Sequence, residues 1–401
     1  MITLEEAQGR IISAARPLAS EEIPLHDALG RYLATPLNSS IDLPPADNSA
    51  MDGYAARSAD LASATPEKPV ALRLAGEARA GSTDAGAVEA GACARVFTGA
   101  PLPRGADAVV MQEDVRREAG PPVKIIFTEA ARPWENIRLR GEDVRQKALL
   151  ADAGEELTPQ RLSLLAAAGL TSVPVARQPR VALLATGDEL REGGTPLAPG
   201  TIFESNRAGL AAMTRRAGGL PRIHPIVPDD LGLTKQALRT ALADADIVVT
   251  SGGVSVGEHD LVKDAFTEIG GELDLWQVAI RPGKPFAFGR HGGKLFCGLP
   301  GNAVSALVTF HLLVRPALLR MQGARELGPI VAWGKLEGPL TNRGERRHFV
   351  RVILDAQGHA RSAGAQGSHM LSSMSLANGL IDVPPGANWP SGTLVAVLRW
   401  T

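Results

Sequence analysis

Cysteine is nearly absent from this chain of 401 residues. The two thiols, Cys93 and Cys297, stand far apart and share no paired spacing, so neither a disulfide framework nor a zinc knuckle is expected. An excess of charge is also absent, because 42 Lys and Arg oppose 43 Asp and Glu, for a net charge of -1. The net charge therefore does not attract the protein to nucleic acid or to an anionic membrane, and any anionic ligand must be bound by a local cluster of suitable groups.

Targeting and membrane signals are missing as well. The first twelve residues carry Glu5 and Glu6 and no basic segment followed by a cleavage site. No stretch reaches the roughly 20 apolar residues of a membrane helix. The best candidate, Ala306 to Val314, is interrupted by His311. These absences predict a cytoplasmic protein without a membrane partner.

Three common nucleotide and hydrolase motifs are missing or misplaced. The string Gly283-Lys284-Pro285 breaks the phosphate-loop pattern, and no G-x-G-x-x-G opens a strand-helix unit. The segment 253–257 has the G-x-S-x-G spacing, but Ser255 comes five residues after Thr250, where the predicted strand ends. A nucleophile elbow needs its serine in the turn that leaves the strand. ATPase, dinucleotide-binding and hydrolase interpretations therefore lose their main support.

The amino-terminal half predicts a helical segment and a β-rich domain. The length suggests roughly two to three domains at about 150 residues each. Apolar residues recur at helical spacing near the start of the chain and predict helix over residues 1–35, with Thr3 as its cap. Short apolar runs separated by Gly and Pro between about 41 and 140 predict strands, such as 70–74, 108–111 and 123–127. A further helix is predicted from Pro159 to Gly169.

Strand and helix patterns alternate from Pro179 to about Gly323. The predicted strands are 181–185, 223–227, 247–250 and 295–297, and the predicted helices are 207–217, 231–243, 261–269 and 303–321. This order predicts a doubly wound α/β domain with ligands at the carboxyl ends of its strands. The tail from about Glu326 has strand-like runs and predicts a small β domain.

Three of the predicted strands are followed by acidic or glycine-rich loops. These loops are Thr186-Gly187-Asp188-Glu189, Pro228-Asp229-Asp230 and the segment 251–260. Glycine loops expose backbone N–H groups that suit phosphate, but the neighbouring acids would repel an anion unless a divalent cation lay between them. Mg²⁺ bound by carboxylates and phosphate oxygens resolves this conflict. The alternative is that the acids cap helices and the glycines only form turns.

Other polar segments could bind a ligand or serve the fold alone. Arg281 and Lys284 lie in a loop restricted by two prolines and a glycine, and Asn302 follows Gly298 to Gly301 as a plausible helix cap. Both cations could instead be ordinary solvated side chains. The lone His259 lacks partners at metal-ligand spacing. The loops 47–55, 97–101 and 136–143 are rich in acids and amides. Such loops usually bind a ligand or cap a neighbouring element, and the residue types alone leave this choice open.

Taken in order, these strings resemble the molybdopterin molybdenumtransferase family, the MoeA proteins, and the related domain of gephyrin. The matching strings run over nearly the whole chain: 49–55, 97–100, 138–143, 186–190, 205–207, 251–260, 281–289, 298–302 and 367–369. The resemblance implies a multidomain α/β and β protein that forms a homodimer. Its parts would be a helical dimerisation segment (1–45 and 141–176), a β-rich inserted domain (46–140), a doubly wound α/β molybdopterin-binding domain (177–324) and a carboxyl-terminal β barrel (325–401).

The same resemblance implies an enzyme that inserts molybdenum from molybdate into adenylylated molybdopterin with Mg²⁺, releasing AMP and forming molybdenum cofactor. The implied catalytic residues are Asp52, Thr98, Asp143, Glu189, Asp229 and Asp260. The predicted substrate-binding residues are Ser251, Gly252, Gly253, Ser255, Arg281, Lys284, Pro300, Arg351 and Ser368. Of these acids, Glu189 and Asp260 would hold the metal, and Asp52 would reach the same cleft from the partner subunit.

The sequence departs from the family pattern at two cationic positions. Gln277 and Arg281 stand where some relatives carry lysines. Two other functions stay open at this stage. A molybdopterin adenylyltransferase shares the α/β domain but does not require the β domains, and a scaffolding role would tolerate loss of the acids. An adenylyltransferase could also be the partner that supplies the substrate, and the preference between molybdate and tungstate stays open.

Overall fold

A computed structural model describes residues 1–82, 86–253 and 261–400 of the chain. These residues form two compact units. The larger unit comprises residues 1–35, 153–158 and the chain from Ser172 onward, and the smaller unit comprises Pro36–Asp152 and Pro159–Thr171. The predicted multidomain α/β and β fold class is confirmed. The four predicted domain boundaries stay a prediction, since the contacts divide the chain only into these two units.

A six-stranded sheet forms the body of the smaller unit. Its strands, in spatial order, are Ala108–Met111, Gly53–Ala56, Ala92–Val96, Val70–Ala78, Lys124–Phe127 and Val115–Glu118. Successive side chains of a strand point to opposite faces. Ala55 and Ala94 accordingly pack in one apolar cluster, while Tyr54 and Cys93 pack in the other. The strands predicted at 70–74, 108–111 and 123–127 are confirmed.

The remaining elements of the smaller unit are short. Two-strand pairs join Leu37–Asn38 to Leu149–Ala151 and Asn48–Ser49 to Ile137–Arg138, and the helical elements are Ser58–Leu61, Gln112–Asp114 and Pro159–Ala167. The helix predicted from Pro159 is therefore confirmed. It ends where Gly169 adopts a φ of 87°, a conformation that glycine reaches without a Cβ clash.

The first helix of the larger unit is shorter than the predicted helical segment. It covers Leu4–Ala14 and begins where the Thr3 hydroxyl oxygen accepts a hydrogen bond from the Glu6 N–H at 3.1 Å. Pro17 cannot continue a helix because it lacks a backbone donor. The chain then forms the strand Ser20–Pro24, which pairs antiparallel with Ser172–Ala176, and one turn at Leu25–Asp27. The expectation of helix throughout residues 1–35 was wrong beyond Ala14.

The α/β part of the larger unit contains a second six-stranded sheet. Its strands, in spatial order, are Leu220–Ile223, Arg180–Ala185, Ile247–Ser251, Lys294–Leu299, Pro285–His291 and Glu272–Gln277. The first four strands are parallel, and the last two pair antiparallel. Helices cover both faces: Asn206–Arg216, Leu231–Asp244, Leu261–Glu268 and the continuous run Ala303–Met321.

Three of the four predicted strands of this sheet, and its four predicted helices, are confirmed. The strand predicted at 223–227 was wrong, because the strand ends at Ile223. Pro225 cannot donate a ladder hydrogen bond, and Val227 meets the sheet again in an isolated bridge to Thr186. Side chains alternate between two cores, with Val181 and Leu183 in one and Ala182 in the other. A parallel sheet covered by helices on both faces produces this double burial.

One helical run, Ala303–Met321, is long and apolar enough to span a membrane by composition alone, with a mean hydropathy of 1.4. The helix passes through His311, the residue that interrupts the apolar stretch, by a π-helical turn at Phe310–Val314. Within its most apolar window, 83% of the residues are buried inside the protein. This burial is the pattern of a core helix.

The carboxyl-terminal part of the larger unit is a closed barrel. Its five strands, in spatial order, are Arg347–Leu354, His359–Ser362, Val331–Leu336, Leu394–Arg399 and Gly379–Val383, and the last strand pairs back with the first. Ile280–Arg281 adds a parallel edge to Arg347–Leu354. The pair Leu340–Thr341 with Asn388–Trp389 and the helix Leu371–Leu376 complete this part. The predicted β barrel is therefore confirmed.

Candidate functional site

A cavity of about 1020 Å³ opens at the carboxyl ends of the parallel strands. The strand Leu220–Ile223 follows Arg180–Ala185 in the chain and lies on one side of it, and the next strand, Ile247–Ser251, lies on its other side. The strand order therefore reverses between Arg180–Ala185 and Ile247–Ser251. The loops after two such strands turn to opposite faces and leave a crevice, which is where open α/β sheets bind ligands. The cavity occupies this position.

Three of the predicted substrate-binding residues form the glycine-rich floor of the cavity. Ser251 ends its strand, and Gly252 and Gly253 follow with φ values of 92° and 65°. A Cβ on Gly252 would lie 2.9 Å from the Thr186 carbonyl oxygen, and one on Gly253 would lie 2.2 Å from a Val262 methyl carbon. Only glycine therefore permits this floor, which brings backbone close to any ligand.

Pro300 and Gly301 border the same floor after the strand Lys294–Leu299. A Cβ on Gly301 would lie 3.6 Å from the Gly252 Cα, so the two loops pack backbone against backbone. Asn302 then precedes the core helix, and the Asn302 carbonyl accepts the Ala306 N–H at 2.9 Å. The cavity thus meets the start of a long helix, whose first N–H groups and dipole favour negative charge.

Two predicted catalytic acids, Glu189 and Asp229, line the cavity. Asp229 is held against the neighbouring loop because its carboxylate accepts the Asp188 N–H at 3.2 Å, while its own N–H donates to Asp188 at 3.1 Å. Glu189 folds over Gly187, where a Cβ would lie 2.3 Å from its Oε2. The predicted convergence of the loops after separate strands is present for these two acids.

A further part of the cavity wall was not predicted. The strands Leu190–Arg191 and Ile202–Phe203 pair in parallel there, and the last two residues are 55% and 47% exposed. Asn206 lines the cavity as well, and its amide nitrogen donates to the Gly301 carbonyl at 2.8 Å. The sequence signal for this wall was two apolar residues beside a run rich in Gly and Pro, which ordinarily indicates only a loop.

The predicted cationic residues Arg281 and Lys284 are placed differently. Both are exposed and border a separate depression of about 310 Å³, together with Arg346. Pro285, which follows them, lines the main cavity. Nearby, burial and the positive charges of Arg281, Arg351 and Arg346 lower the pKa of His348 to about 4, so this ring is neutral at pH 7.

Arg351 is fully buried, and its guanidinium binds backbone carbonyl groups. Its guanidinium donates to the carbonyls of Ala365 and Gly367 at 2.8 and 3.1 Å and to the Ser373 hydroxyl at 3.1 Å. Ser368 follows directly, half-buried, and its carbonyl accepts the Val304 N–H at 3.2 Å. Arg351 therefore shapes the segment that carries Ser368.

In the smaller unit, two of the predicted catalytic residues are directly paired. The Asp52 carboxylate accepts the Thr98 N–H at 2.7 Å and the Thr98 hydroxyl at 2.8 Å, which lowers the pKa of Asp52. Asp143 is exposed, and its N–H donates to the Leu43 carbonyl at 3.1 Å. Two further predicted residues, Ser255 and Asp260, lie outside the residues that the structure describes, so their roles stay predictions.

Three family models match the chain in succession. The MoeA N-terminal region (domain I and II) matches residues 2–169, the probable molybdopterin binding domain matches 182–320, and the MoeA C-terminal region (domain IV) matches 334–400. Together these models cover most of the chain and follow the order of its strings.

Curated relatives and solved structures match over nearly the full length. A molybdopterin molybdenumtransferase of Haemophilus influenzae is 38% identical over 94% of this chain and 93% of the relative, and a molybdopterin molybdenumtransferase 2 of Mycobacterium tuberculosis is 38% identical over 96% of each. A molybdopterin biosynthesis MoeA protein structure from Pyrococcus horikoshii has a TM-score of 0.87 at 30% identity and covers 100% of both chains.

Proposed function

Because the chain belongs to the MoeA family of molybdopterin molybdenumtransferases, enzymes of molybdenum cofactor biosynthesis, we propose that it inserts molybdenum from molybdate into adenylylated molybdopterin with Mg²⁺ and releases AMP. The observation that carries this proposal is the charge of the main cavity. Its described wall contains Glu189, Glu204 and Asp229 but no lysine or arginine. A pyrophosphate-linked substrate can enter such a cavity only when a cation offsets the acids.

The donor set suits Mg²⁺. Glu189 and Asp229 offer carboxylate oxygens, the hard ligands that Mg²⁺ accepts, and the glycine floor leaves room for phosphate oxygens beside them. Glu204 is not available, because its carboxylate is bound by the Arg207 guanidinium at 2.7 Å. We propose that Glu189 and, as the family resemblance implies, Asp260 hold the ion, with Asp229 lining the same cavity. When bound, the ion would screen the phosphate charge and polarise the phosphoryl group.

The chain's own groups would then bind and orient the reactants. Backbone N–H groups of the glycine floor and the start of the core helix would hold phosphate oxygens. Ser368 would receive the molybdate dianion, with Arg351 shaping the Ser368 segment. Arg281 and Lys284 would attract anions at the separate depression that they border. No nucleophile of the chain needs to bond to the substrate, so positioning and charge neutralisation supply the catalysis.

A reconstituted reaction tests the proposed function. The purified protein is incubated with adenylylated molybdopterin, molybdate and Mg²⁺, and AMP release and cofactor formation are measured. We expect AMP to appear only when molybdate and Mg²⁺ are both present, in step with cofactor. Consumption of ATP with unmodified molybdopterin, independent of molybdate, would instead identify an adenylyltransferase and contradict the proposal.

Asp52 belongs to the smaller unit, and its role rests on the family resemblance. We propose that the protein acts as a homodimer in which Asp52 serves the cavity of the partner subunit. Mixing inactive Asp52→Asn and Glu189→Gln variants under subunit exchange is then expected to restore about a quarter of parental activity, since half of the dimers are mixed and each has one intact site. Activity that stays at the level of the separate variants would show that both acids act within one subunit.

We further propose a cytoplasmic location and supply of the substrate by an adenylyltransferase. The reason is chemical, since an adenylylated pterin requires ATP, the adenylyl donor available inside the cell.

A further inference from the structure

Arg207 is a buried cation placed directly behind the cavity. Its side chain is 5% exposed. Its Nε donates to Glu204 at 2.7 Å, its backbone N–H donates to the same carboxylate at 2.9 Å, and its Nη2 donates to Glu192 at 2.8 Å. Its Nη1 donates to the His224 carbonyl. Every part of the planar guanidinium is therefore engaged.

These bonds join elements that form different walls of the cavity. Glu192 follows the strand Leu190–Arg191, and Glu204 follows the strand Ile202–Phe203, so the two acids fix both strands of the unpredicted wall. His224 begins the loop that leads to Asp229. Arg207 itself is not among the residues that border the cavity. It acts on the cavity through its partners.

In the part of the chain that the structure describes, the strand pair of this wall has few other bonds. Each strand of the pair is two residues long, and a pair this short has no independent stability in water. Two backbone hydrogen bonds join the strands: the Ile202 N–H donates to the Glu189 carbonyl at 2.8 Å, and the Glu204 N–H donates to the Arg191 carbonyl at 2.9 Å. The first of these bonds fixes the backbone of Glu189, the proposed metal ligand.

We propose that Arg207 is a positioning residue for the nucleotide part of the substrate, because it clamps the wall segment 189–204 and thereby places Glu189. This inference rests on the proposed function for the identity of the ligand, and on the structure alone for the clamp. Lysine cannot replace it, since one ammonium group cannot span Glu204, Glu192 and the His224 carbonyl in one plane.

Hydrogen exchange of the ligand-free protein tests the clamp. In Arg207→Met and Arg207→Lys, the amides of Ile202 and Glu204 are expected to exchange at least about tenfold faster than in the parent, while the amides of the strand Ile247–Ser251 keep parental protection. The matched control is Arg215→Met, an exposed arginine on the same helix, which should leave all of these amides unchanged. Parental exchange at Ile202 and Glu204 in a folded Arg207 variant would overturn the inference.

A second measurement, the affinity for a nucleotide, tests the assignment of the ligand. Mg·ADP carries the adenosine and pyrophosphate groups of the proposed substrate, and its Kd is expected to rise about tenfold in both Arg207 variants and to stay parental in Arg215→Met. In turnover, we expect KM for the adenylylated substrate to rise more than kcat falls. If the parent itself fails to bind Mg·ADP while its Arg207 variants lose amide protection, the nucleotide assignment fails and the clamp stands.

Removing Arg207 alone leaves Glu204 buried and unpaired, which could prevent folding. The double variant Arg207→Met/Glu204→Leu removes both buried charges and still cuts the links to Glu192 and His224. It is expected to fold and to show the same loss of protection at Ile202. Parental protection and parental Mg·ADP affinity in this double variant would overturn the inference.

Discussion

Glu189→Gln is expected to lower the rate of molybdenum insertion by roughly 100-fold or more, because removing one preorganised charged group at a reacting centre typically costs that much. The substitution keeps the size of the side chain and its position over Gly187, and it removes only the negative charge. A neutral amide oxygen is a poor ligand for Mg²⁺. The rate of AMP release at saturating molybdate measures the effect.

A second readout separates metal binding from other causes. Mn²⁺ replaces Mg²⁺ as a paramagnetic probe, and its Kd is expected to rise at least about tenfold in Glu189→Gln. Glu326→Gln makes the same change at an exposed position of the larger unit outside the cavity wall and should keep the parental rate and affinity. Parental turnover and Mn²⁺ affinity in Glu189→Gln would remove this residue from the proposed site.

Between pH 7 and pH 4, the free energy of unfolding of His311→Phe is expected to fall by about 3 kcal/mol less than that of the parent. His311 is buried in the core helix, with its ring 4.8 Å from the Trp400 ring, and burial together with the positive charges of Arg315 and Arg216 lowers its pKa to about 4. Below pH 6.5 the unfolded chain takes up a proton that the folded protein does not accept until about pH 4. The free energy of unfolding therefore falls as the pH drops through this interval and levels off below it.

Phenylalanine keeps an aromatic ring against Trp400 and cannot titrate. Because the His311 Nε2 has no hydrogen-bond partner among the residues that the structure describes, its removal leaves no new buried polar group there unsatisfied. Urea unfolding at pH 7 and at pH 4 should show a smaller loss of stability in the variant than in the parent. The control His26→Gln changes an imidazole that is 81% exposed and should keep the parental loss. An unchanged loss in His311→Phe would show that its proton is not the cause.

The predictions that succeeded depended on local patterns. Runs such as 181–185 and 247–249 are apolar throughout, and that is the pattern of strands buried on both faces of a parallel sheet. The failures also had local causes that the apolar pattern concealed. Pro225 ends the predicted strand 223–227 early, and Pro17 prevents the first helix from continuing through residue 35.

The candidate site was predicted in part. Glu189, Asp229 and the glycine floor converge because each follows a strand of one sheet, and topology places the ends of such strands together. Arg281 and Lys284 looked equally suited to an anion, yet they border a different depression. Arg207 belongs to the matching string 205–207, and nothing local to the sequence shows that its guanidinium binds Glu192 and the His224 carbonyl.

The amino-acid sequence by itself determined the family, the alternation of strands and helices, and the acids and glycines of the cavity floor. These features are encoded by side-chain spacing over short distances, where periodicity and turn chemistry operate. Only the tertiary structure decided which cations border which cavity. It also decided that the Arg351 guanidinium binds backbone carbonyls and that Arg207 binds both strands of the cavity wall through Glu192 and Glu204. The reason is that a long flexible cation can reach several partners, and burial and packing alone select among them.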